Sequence, residues 1–432
     1  MTLLIENFSG AQFAPESAEF AAVAVSHGQP LSPTLIVRPR TEADVVAAVT
    51  FAVSRNLPIT IRSGGHSTFD LDAAGLLLDL GDISEVEVLD DTLVRVGSGA
   101  VWGDVAAALE PHGLAISSGD TSSVGVGGLT LGGGIGWLVR GNGLTLDHLV
   151  EARVVLASGK AVTASATSEP ELFWALRGGG GNFGVVTTFT FRAVHVGSIA
   201  AGTIACNPAS FPTTLKAWRD VMRSLPETVN VTALAMPSPA PGAPPVAQLL
   251  VCTTGAEEEL APLLTLPGVV GSDIQRKRYV ELLNEAPPPA GASTLVYNSA
   301  FLSDLSDEAI DGLASLFGTF GAGVMTVRFV GGALNRVPRD ATAFAHRNAE
   351  VIVFLLAALG PDAPAGEKQR IRSRFADLEP HFDGLNGNFT ADTSDAIVSR
   401  IYPGETLGRL RAVKRRFDPA NVFAANHNVV PE

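Results

Sequence analysis

The apolar positions of the first 195 residues follow two spacings, one helical and one of short strands. Apolar residues recur every three to four positions from Val45 to Val53, which predicts an amphipathic helix. Thr41 precedes this helix where it can cap the first turn, and Asp44 complements the helix dipole. Strands are predicted at residues 59–61, 76–80, 93–96, 152–156, 161–164 and 185–191, further helices at 101–110 and from Glu169 onward, and a buried glycine-rich loop at 119–143.

The pattern changes after about residue 196. Strand-like runs such as 248–253 and 294–301 are separated by proline-rich patches at 237–245 and 287–289. Helical spacing occurs near residues 255–265, 307–317, 340–349 and 365–378. This half of the chain is therefore predicted to be a separate α+β domain, a mixed sheet with helices on one face. A helix at 405–416 and the tail to residue 432 are expected to return to the first domain.

Composition supports a large buried core, since 46% of the residues are hydrophobic and only 17% are charged. The formal net charge of −14 disfavours nucleic acid and anionic membranes as partners, because both need clustered lysine and arginine. No apolar run has the length and purity of a membrane span, and the N-terminus lacks the regions of a signal peptide. A cytoplasmic location is therefore expected.

Outside the glycine-rich segments, reactive side chains are sparse. Cys206 and Cys252 have neither a CxxC spacing nor a histidine at ligand spacing, so neither a disulfide framework nor a metal site is expected. Both cysteines are predicted to be small buried residues. The most basic cluster, Lys414-Arg415-Arg416, is predicted to be a solvated helix face.

The segment from Gly119 to Gly136 interleaves glycines with valine, leucine and isoleucine. Backbone without side chains can approach an anion closely, so the segment predicts a nucleotide-binding loop; turns without a ligand are the alternative. A Rossmann fingerprint fails, because after Gly97 and Gly99 the third glycine is Gly103, one position too far. A P-loop fails because the chain has no GK[ST] sequence.

Three separated motifs carry a family resemblance. They are Arg62-Ser-Gly-Gly-His-Ser67, the run Val124-Gly-Val-Gly-Gly-Leu-Thr-Leu-Gly-Gly-Gly-Ile-Gly136, and the sequence RGGGGNFGVV at residues 177–186. The tail adds Tyr402-Pro-Gly, Phe417-Asp-Pro-Ala-Asn-Val-Phe423 and Asn426-His-Asn428. Together they closely resemble the vanillyl-alcohol-oxidase/PCMH flavoprotein superfamily, and within it the berberine-bridge-enzyme-like branch.

This resemblance implies an α+β protein of two domains that binds FAD. A PCMH-type FAD-binding domain would comprise residues 1–196 and 400–432. A substrate domain, with a mixed or antiparallel sheet and helices on one face, would comprise residues 197–399. His66 would be joined covalently to the flavin 8α-methyl group. The other cofactor-binding residues that the resemblance implies are Arg62, Ser63, Gly64, Gly65, Ser67, Gly119, Thr121, Val124, Gly125, Gly128, Leu129, Gly134, Gly136, Gly184, Val186, Asn426 and Asn428.

Two positions depart from the family pattern. Doubly linked members have a cysteine three residues before the first valine of VGVGG, where this chain has Thr121. The histidine that often follows these glycines is replaced by Leu129. The chain therefore resembles the singly linked, 6-hydroxy-D-nicotine oxidase-like members, and by analogy a closed site for a small substrate is expected.

The resemblance does not supply a catalytic base. Related oxidases often use a tyrosine two residues before the asparagine of a YxN segment, and here Asn386 takes the tyrosine's place before Asn388. The candidate catalytic residues are Asn388, Tyr402, and Tyr297 on a strand-like run that could face the flavin. Without an evident phenolate, solvent or a neutral group would take the substrate proton.

The resemblance favours an FAD-dependent oxidase that takes hydride from a small alcohol or amine to flavin N5, with O2 reduced to H2O2. One alternative is a flavin-dependent monooxygenase-like tailoring enzyme of secondary metabolism that uses a flavin–oxygen adduct. Another is a flavin-binding protein without redox activity. The expected partners are a small-molecule substrate and O2, and the expected state is a monomer or homodimer.

Overall fold

The computed structural model describes residues 4–26, 29–67, 74–238, 244–285, 294–319, 323–360 and 362–432. The strands are β1 Ala11–Phe13, β2 Val25–Ser26, β3 Gln29–Pro30, β4 Leu35–Arg38, β5 Ile59–Arg62, β6 Leu76–Asp79, β7 Val86–Val88, β8 Leu93–Gly97, β9 Leu114–Ala115, β10 Leu149–Val155, β11 Ala161–Ser165, β12 Val185–Arg192, β13 Val194–His195, β14 Ile199–Cys206, β15 Val229–Met236, β16 Val246–Thr253, β17 Val269–Lys277, β18 Thr294–Leu302, β19 Gly323–Phe329 and β20 Val351–Leu359.

The α-helices are α1 Phe20–Val23, α2 Glu42–Ser54, α3 Trp102–Leu109, α4 Val126–Gly132, α5 Val139–Asn142, α6 Pro170–Leu176, α7 Phe211–Met222, α8 Ala261–Leu264, α9 Asp307–Thr319, α10 Ala333–Arg336, α11 Glu367–Ala376, α12 Asp395–Ile401 and α13 Glu405–Phe417. Short 3-10 helices cover Glu110–His112, Thr145–His148, Pro208–Ser210, Glu257–Leu260, Tyr279–Leu282, Glu379–His381 and Gly387–Phe389. Within the described ranges, none of these helices has the length and apolar character needed to cross a membrane.

The first sheet has the strand order β1-β4-β6-β5. Strands β4, β6 and β5 run parallel, and β1 is added antiparallel. Helix α2 covers this sheet, with Val45 in the same core cluster as Leu35. The Thr41 hydroxyl accepts a hydrogen bond from the Asp44 N–H, and the Asp44 carboxylate accepts one from the Thr41 N–H. The predicted start of this helix is confirmed as a capping box.

The second sheet, ordered β11-β10-β12-β8-β7, is antiparallel throughout. Alternation along β12 buries Phe189 and Phe191, because every second residue of a strand points to the same face. The Phe191 ring packs against Trp102 of α3, with 5.9 Å between ring centroids. All six strands predicted in the first 195 residues are present.

The third sheet has seven antiparallel strands in the order β17-β14-β16-β15-β19-β20-β18. One face is covered by helices: Phe329 of β19 packs edge-on against Trp218 of α7, with 6.2 Å between ring centroids. Helices α9 and α11 contact β19 and β18. The prediction of a mixed or antiparallel sheet with helices on one face is confirmed.

The C-terminal segment packs on the N-terminal part of the fold, because α13 contacts α6. The domain boundaries at residues 196/197 and 399/400 remain a proposal.

Residues 340–349, predicted to be helical, form no helix. Their backbone bonds instead to the end of α6: Ala343 N–H donates to Trp174 O (3.3 Å), and Phe344 N–H donates to Arg177 O (3.1 Å). Tertiary hydrogen bonds replace the helical ones, so the apolar spacing here reflects burial and not helix formation.

The glycine-dense stretch predicted to be a loop contains helix α4. Val126, Thr130 and Leu131 are buried along it, and Gly133 ends it with φ of +143°. Glycine lowers helix propensity by about 1 kcal/mol per residue relative to alanine. Burial of one side of α4 outweighs this cost, and the propensity pattern does not reveal it.

Two predictions about single side chains have different outcomes. Cys206 and Cys252 are buried and free, as predicted. The prediction of a solvated basic face is wrong for Lys414, whose side chain is completely buried against Asp418, because the helix turns this residue inward. Only its neighbours, such as Arg415, are exposed.

Candidate active site

The RSGGH segment and the glycine-rich segment meet backbone to backbone. A Cβ atom on Gly64 would lie 2.3 Å from Gly125 N, and one on Gly125 would lie 2.1 Å from Gly64 N. The Ser63 hydroxyl donates to Ser98 O (2.6 Å) and accepts from Gly127 N–H (3.3 Å). This close approach requires glycine at both positions, and it places two predicted cofactor motifs side by side.

His66 follows this junction and touches the glycine-rich segment through a serine. Its Nε2 lies 2.9 Å from Ser123 Oγ. Ser123 is held in turn by Glu285, whose Oε1 accepts from Ser123 N–H and whose Oε2 accepts from Ser123 Oγ, both at 2.8 Å. Hydrogen bonds from Ser122 and Ser123 lower the pKa of Glu285, so this group is a carboxylate at neutral pH. The predicted covalent anchor is thus connected to a carboxylate through the hydroxyl group of Ser123.

A cavity of about 440 Å³ opens beside residues 63–65. Two guanidinium groups on its wall share one carboxylate: Arg38 and Arg62 donate to Asp79 Oδ2 at 2.6 Å and 2.8 Å. Burial acts to raise the pKa of Asp79, but the two arginines outweigh it and hold that pKa below its ordinary value. The wall is completed by Val25, Ser63, Gly64, Gly65, Gly81, Ser84, Gly99, Ala100, Val101 and Asp104.

The residues present fit an FAD molecule. Among the residues that the structure describes, the Oδ1 atoms of Asn426 and Asn428 and the hydroxyl of Ser67 are buried without a hydrogen-bond partner. An unsatisfied buried polar group costs about 1–3 kcal/mol, so a bound group that pairs with these atoms is expected. A flavin dinucleotide offers such groups, and the cavity beside the glycine junction provides room for its phosphates.

Several predicted cofactor residues follow the backbone path of the glycine-rich segment. Leu129 packs over Gly119, where a Cβ atom would lie 2.8 Å from Leu129 Cδ1. Gly134, with φ of +81°, is pressed against Thr145, and Gly136 is pressed against Ser118 O. The other predicted residues on this path are Thr121 and Val124, which are half-buried, and Gly128, which has open space beside it.

Two other predicted cofactor residues, Gly184 and Val186, lie outside the glycine-rich segment. Val186 is 3% exposed and belongs to the core under β12. Gly184 has φ of +156°, and a Cβ atom there would lie 2.8 Å from Val155 O. Both residues are therefore buried, and neither presents a side chain to a ligand.

The face of the seven-stranded sheet opposite helices α7, α9 and α11 points at the glycine-rich segment. Arg328 of β19 forms an ion pair with Asp120, with Nη1 3.0 Å from Oδ1. On β20, the Phe354 ring packs at 5.0 Å against Phe389, and at 6.0 Å against Tyr297 of β18. This face and the glycine-rich segment therefore form two sides of one site.

The strands that form this face have few side chains that can donate or accept a proton. Strands β14, β15, β16, β18, β19 and β20 contain no aspartate, glutamate, histidine or lysine. Their titratable side chains are Tyr297, Arg328 and the two buried cysteines. Burial raises the pKa of Tyr297 to about 12. The sheet can exclude water and position a substrate, but it offers no base at neutral pH.

The three candidate catalytic residues are not all brought together. Asn388 lies against the glycine-rich segment, where its Nδ2 is 3.5 Å from Leu129 O, and the turn that contains it contacts β18, the strand of Tyr297. Tyr402 lies instead beside Gly180 in the buried core, and burial raises its pKa. The structure thus places Tyr297 and Asn388, but not Tyr402, near the sheet face.

Four charged residues of this region belong to none of the sequence motifs. Asp79 ends a buried parallel strand, and a carboxylate at that end of a strand is a signal that could have marked it. Glu285 and the pair of Asp120 and Arg328 gave no such signal, because each meets its partner across more than 150 residues of chain.

Two family descriptions match parts of the chain. Residues 33–165 match the family described as FAD binding domain, and residues 388–430 match the family described as Berberine and berberine like. The first match covers the RSGGH segment and helix α4, and the second covers Asn388, Asn426 and Asn428.

Relatives are similar to this chain over nearly its full length. The (R)-6-hydroxynicotine oxidase of Paenarthrobacter nicotinovorans is 31% identical over 451 residues, which cover 97% of this chain and 96% of that protein. The solved structure of 6-hydroxy-D-nicotine oxidase from Arthrobacter nicotinovorans has a TM-score of 0.85 at 27% identity and covers 98% of both chains. BBE-like 1 of Physcomitrella patens has a TM-score of 0.88 at 25% identity and covers 98% of this chain and 97% of that one.

Proposed function

Because the chain belongs to the berberine-bridge-enzyme-like branch of the vanillyl-alcohol-oxidase/PCMH superfamily of FAD-linked oxidoreductases, we propose that it is an oxidase of a small, weakly polar amine or alcohol. The substrate would lose a hydride, and O2 would be reduced to H2O2. A relative that is 31% identical is an oxidase of a hydroxylated nicotine, which supports both the reaction type and a small substrate.

Bound FAD would supply the hydride acceptor at N5 and return the electrons to O2. His66 would hold it through a single covalent bond, since Thr121 stands where doubly linked members have cysteine. The cavity beside residues 63–65 would admit the dinucleotide backbone, and the amides of Asn426 and Asn428 would pair with its polar groups.

The observation that carries the proposal is the face of the seven-stranded sheet opposite helices α7, α9 and α11. Phe354 and Leu356 of β20 are half-buried there, and six of the seven strands have no carboxylate, histidine or lysine. The apolar patch of Phe354 and Leu356 on this face favours a substrate with few hydroxyl groups, because buried polar groups without partners are costly. A wall without a base favours a substrate that reacts in its neutral form, so an amine would bind unprotonated.

The test is a panel of substrates assayed for peroxide. Cyclic secondary amines and benzylic alcohols represent the proposed class, and oligosaccharides represent a polyhydroxylated class that needs polar contacts. We expect a member of the first group to bleach the flavin without air, and to give one H2O2 per product when air is admitted. A preference for oligosaccharides would contradict the substrate class.

Two further results would contradict the reaction type. Incorporation of an 18O atom from labelled O2 into the product would indicate a monooxygenase. A flavin that chemical reductants bleach but that no substrate in the panel reduces would favour a binding protein without oxidase activity.

A further inference from the structure

Glu285 reaches the predicted anchor of the flavin from a distant part of the chain. It follows the 3-10 helix Tyr279–Leu282, and its carboxylate binds both the N–H and the hydroxyl of Ser123 at 2.8 Å. The same Ser123 hydroxyl lies 2.9 Å from Nε2 of His66. The three side chains therefore form a chain from carboxylate to hydroxyl to imidazole.

The direction of these hydrogen bonds follows from the groups involved. An ionised carboxylate only accepts, so the single hydroxyl proton of Ser123 is donated to Glu285 Oε2. The Ser123 oxygen is then an acceptor toward His66, which assigns a proton to His66 Nε2. In the neutral imidazole, which is the nucleophilic form, the lone pair then belongs to Nδ1.

We infer that Glu285, acting through Ser123, is a positioning residue for the attachment of FAD to His66. The inference rests on the covalent link proposed above. In this step His66 Nδ1 forms a bond to the 8α carbon, and that carbon loses one proton. The imidazole becomes positively charged as its nitrogen forms the bond, and Ser123 and Glu285 stabilise this charge and draw off the Nε2 proton. The two electrons released pass to O2, so imidazole, flavin methyl group and O2 give the linked flavin and one H2O2.

The contacts explain why these residues are suited to that step. Ser123 fixes the orientation of the imidazole ring, and Glu285 fixes Ser123 through two separate bonds. A carboxylate that orients a histidine and stabilises its cation through hydrogen bonds is a general device for raising the reactivity of that histidine. Charge-assisted hydrogen bonds are roughly twice as strong as neutral ones, so loss of the Glu285 charge is expected to be measurable.

The experiment follows the rate of covalent attachment and not turnover. Protein produced with limited riboflavin is incubated with FAD in air, and covalent flavin is quantified over time from intact mass and from fluorescence on denaturing gels. The variants are Glu285→Gln, Ser123→Ala and Ser123→Thr, which keeps the hydroxyl. Glu281→Gln, which alters an exposed carboxylate on the same segment that pairs with Arg278, is the matched control.

We expect Glu285→Gln and Ser123→Ala to slow attachment by about ten-fold each, because each removes a charge-assisted bond. The double variant is expected to be no slower than the slower single variant, since both residues act in one chain. Glu281→Gln should retain the wild-type rate, and Ser123→Thr should attach FAD faster than Ser123→Ala because it keeps the hydroxyl. Glu285→Gln should bind FAD non-covalently with the affinity of wild type.

Three results would overturn the inference, and they are distinguishable. If wild-type protein carries FAD without a covalent bond, the proposed linkage is wrong and this inference with it. Equal attachment rates in wild type and Glu285→Gln would show that Glu285 has no role in the attachment, although the covalent link itself forms. Weakened non-covalent binding of FAD in Glu285→Gln would show that the residue only maintains the shape of the loop.

Discussion

Lys414 and Asp418, one turn apart at the end of α13, form an ion pair in which both side chains are completely buried. Lys414 Nζ lies 2.7 Å from Asp418 Oδ2, and it also donates to the carbonyl oxygens of Asn182 and Phe423 at 2.7 Å and 2.9 Å. Asp418 accepts in addition from the N–H groups of Val422 and Phe423. The pair therefore joins the C-terminal tail, which carries Asn426 and Asn428, to the RGGGG turn.

We expect Lys414→Met to lower the free energy of unfolding by about 3–5 kcal/mol, because it leaves the carboxylate of Asp418 buried without a counter-ion. Urea denaturation followed by tryptophan fluorescence measures this loss. Arg415→Met, an exposed change at the next position of the same helix, is the control and should cost less than about 0.5 kcal/mol. Equal effects of the two substitutions would refute the stabilising role of the buried pair.

His346 makes stability depend on pH. Burial lowers its pKa to about 4, and its ring stacks on Phe301 with 4.9 Å between centroids. The unfolded chain, with an ordinary histidine pKa near 6.5, binds this proton more readily, so stability falls as the pH drops from about 6.5 to about 4. Between pH 7.5 and 5.0 the histidine should contribute a loss of about 2 kcal/mol.

The measurement is urea denaturation of wild type and His346→Gln at both pH values. The variant should lose less stability between pH 7.5 and pH 5.0 than wild type, by about 2 kcal/mol. His112→Gln, which changes an exposed histidine, should behave like wild type. An unchanged pH dependence in His346→Gln would assign the effect to other groups.

The parts of this molecule that the sequence predicts are those encoded by local spacing. The capping residues of α2, the six strands of the first 195 residues, and the RSGGH and glycine-rich motifs each depend on neighbours within a few positions. Helix α4 was missed because its glycines oppose the helical preference that burial restores. The segment 340–349 was misassigned because its backbone bonds to α6 and not to itself.

The parts that could not be predicted depend on contacts between distant segments. Glu285 meets Ser123 across 162 residues, and Arg328 meets Asp120 across 208. The sequence predicts a solvated Lys414, since a run of three basic residues does not reveal which one the helix turns inward. Charge patterns identify candidates for pairing, but only the packing of the sheets determines the partners.

The ion pair of Asp120 and Arg328 should couple the glycine-rich segment to the seven-stranded sheet. Arg328 is mostly buried, donates to Thr232 Oγ1 at 2.7 Å, and lies over the Trp137 ring. In a double-mutant cycle of Asp120→Asn and Arg328→Gln, we expect a coupling energy of about 1–3 kcal/mol in the free energy of unfolding. The pair Glu87 and Arg95, which is exposed, serves as the control cycle and should couple by less than about 1 kcal/mol. A coupling no larger than that of the control pair would show that the two segments are held by other contacts.

His66→Ala should abolish the covalent flavin. Acid-precipitated wild-type protein is expected to remain yellow, with an intact mass raised by one FAD. The variant should release its flavin into the supernatant and show the mass of the bare chain, because no cysteine lies in the glycine-rich loop to form a second bond. His112→Ala, at an exposed position, should match wild type. A yellow His66→Ala pellet would place the link on another residue, and a colourless wild-type pellet would remove the covalent link from the proposal.

Tyr297→Phe should leave turnover nearly unchanged, which distinguishes this site from one that uses a phenolate base. Burial raises the pKa of Tyr297 to about 12, so at pH 7 roughly one molecule in 10⁵ has the phenolate. With an amine substrate, kcat/KM should rise with pH through the pKa of the free amine, because the neutral amine is the reacting form, and this profile should be the same in wild type and variant. The ring of Tyr297 also packs against Phe354, so Tyr297→Ala is expected to raise KM more than it lowers kcat, through loss of the apolar wall. A drop of about 100-fold or more in kcat for Tyr297→Phe, with loss of the alkaline rise, would instead identify Tyr297 as the base, since positioned proton transfer contributes effects of about that size.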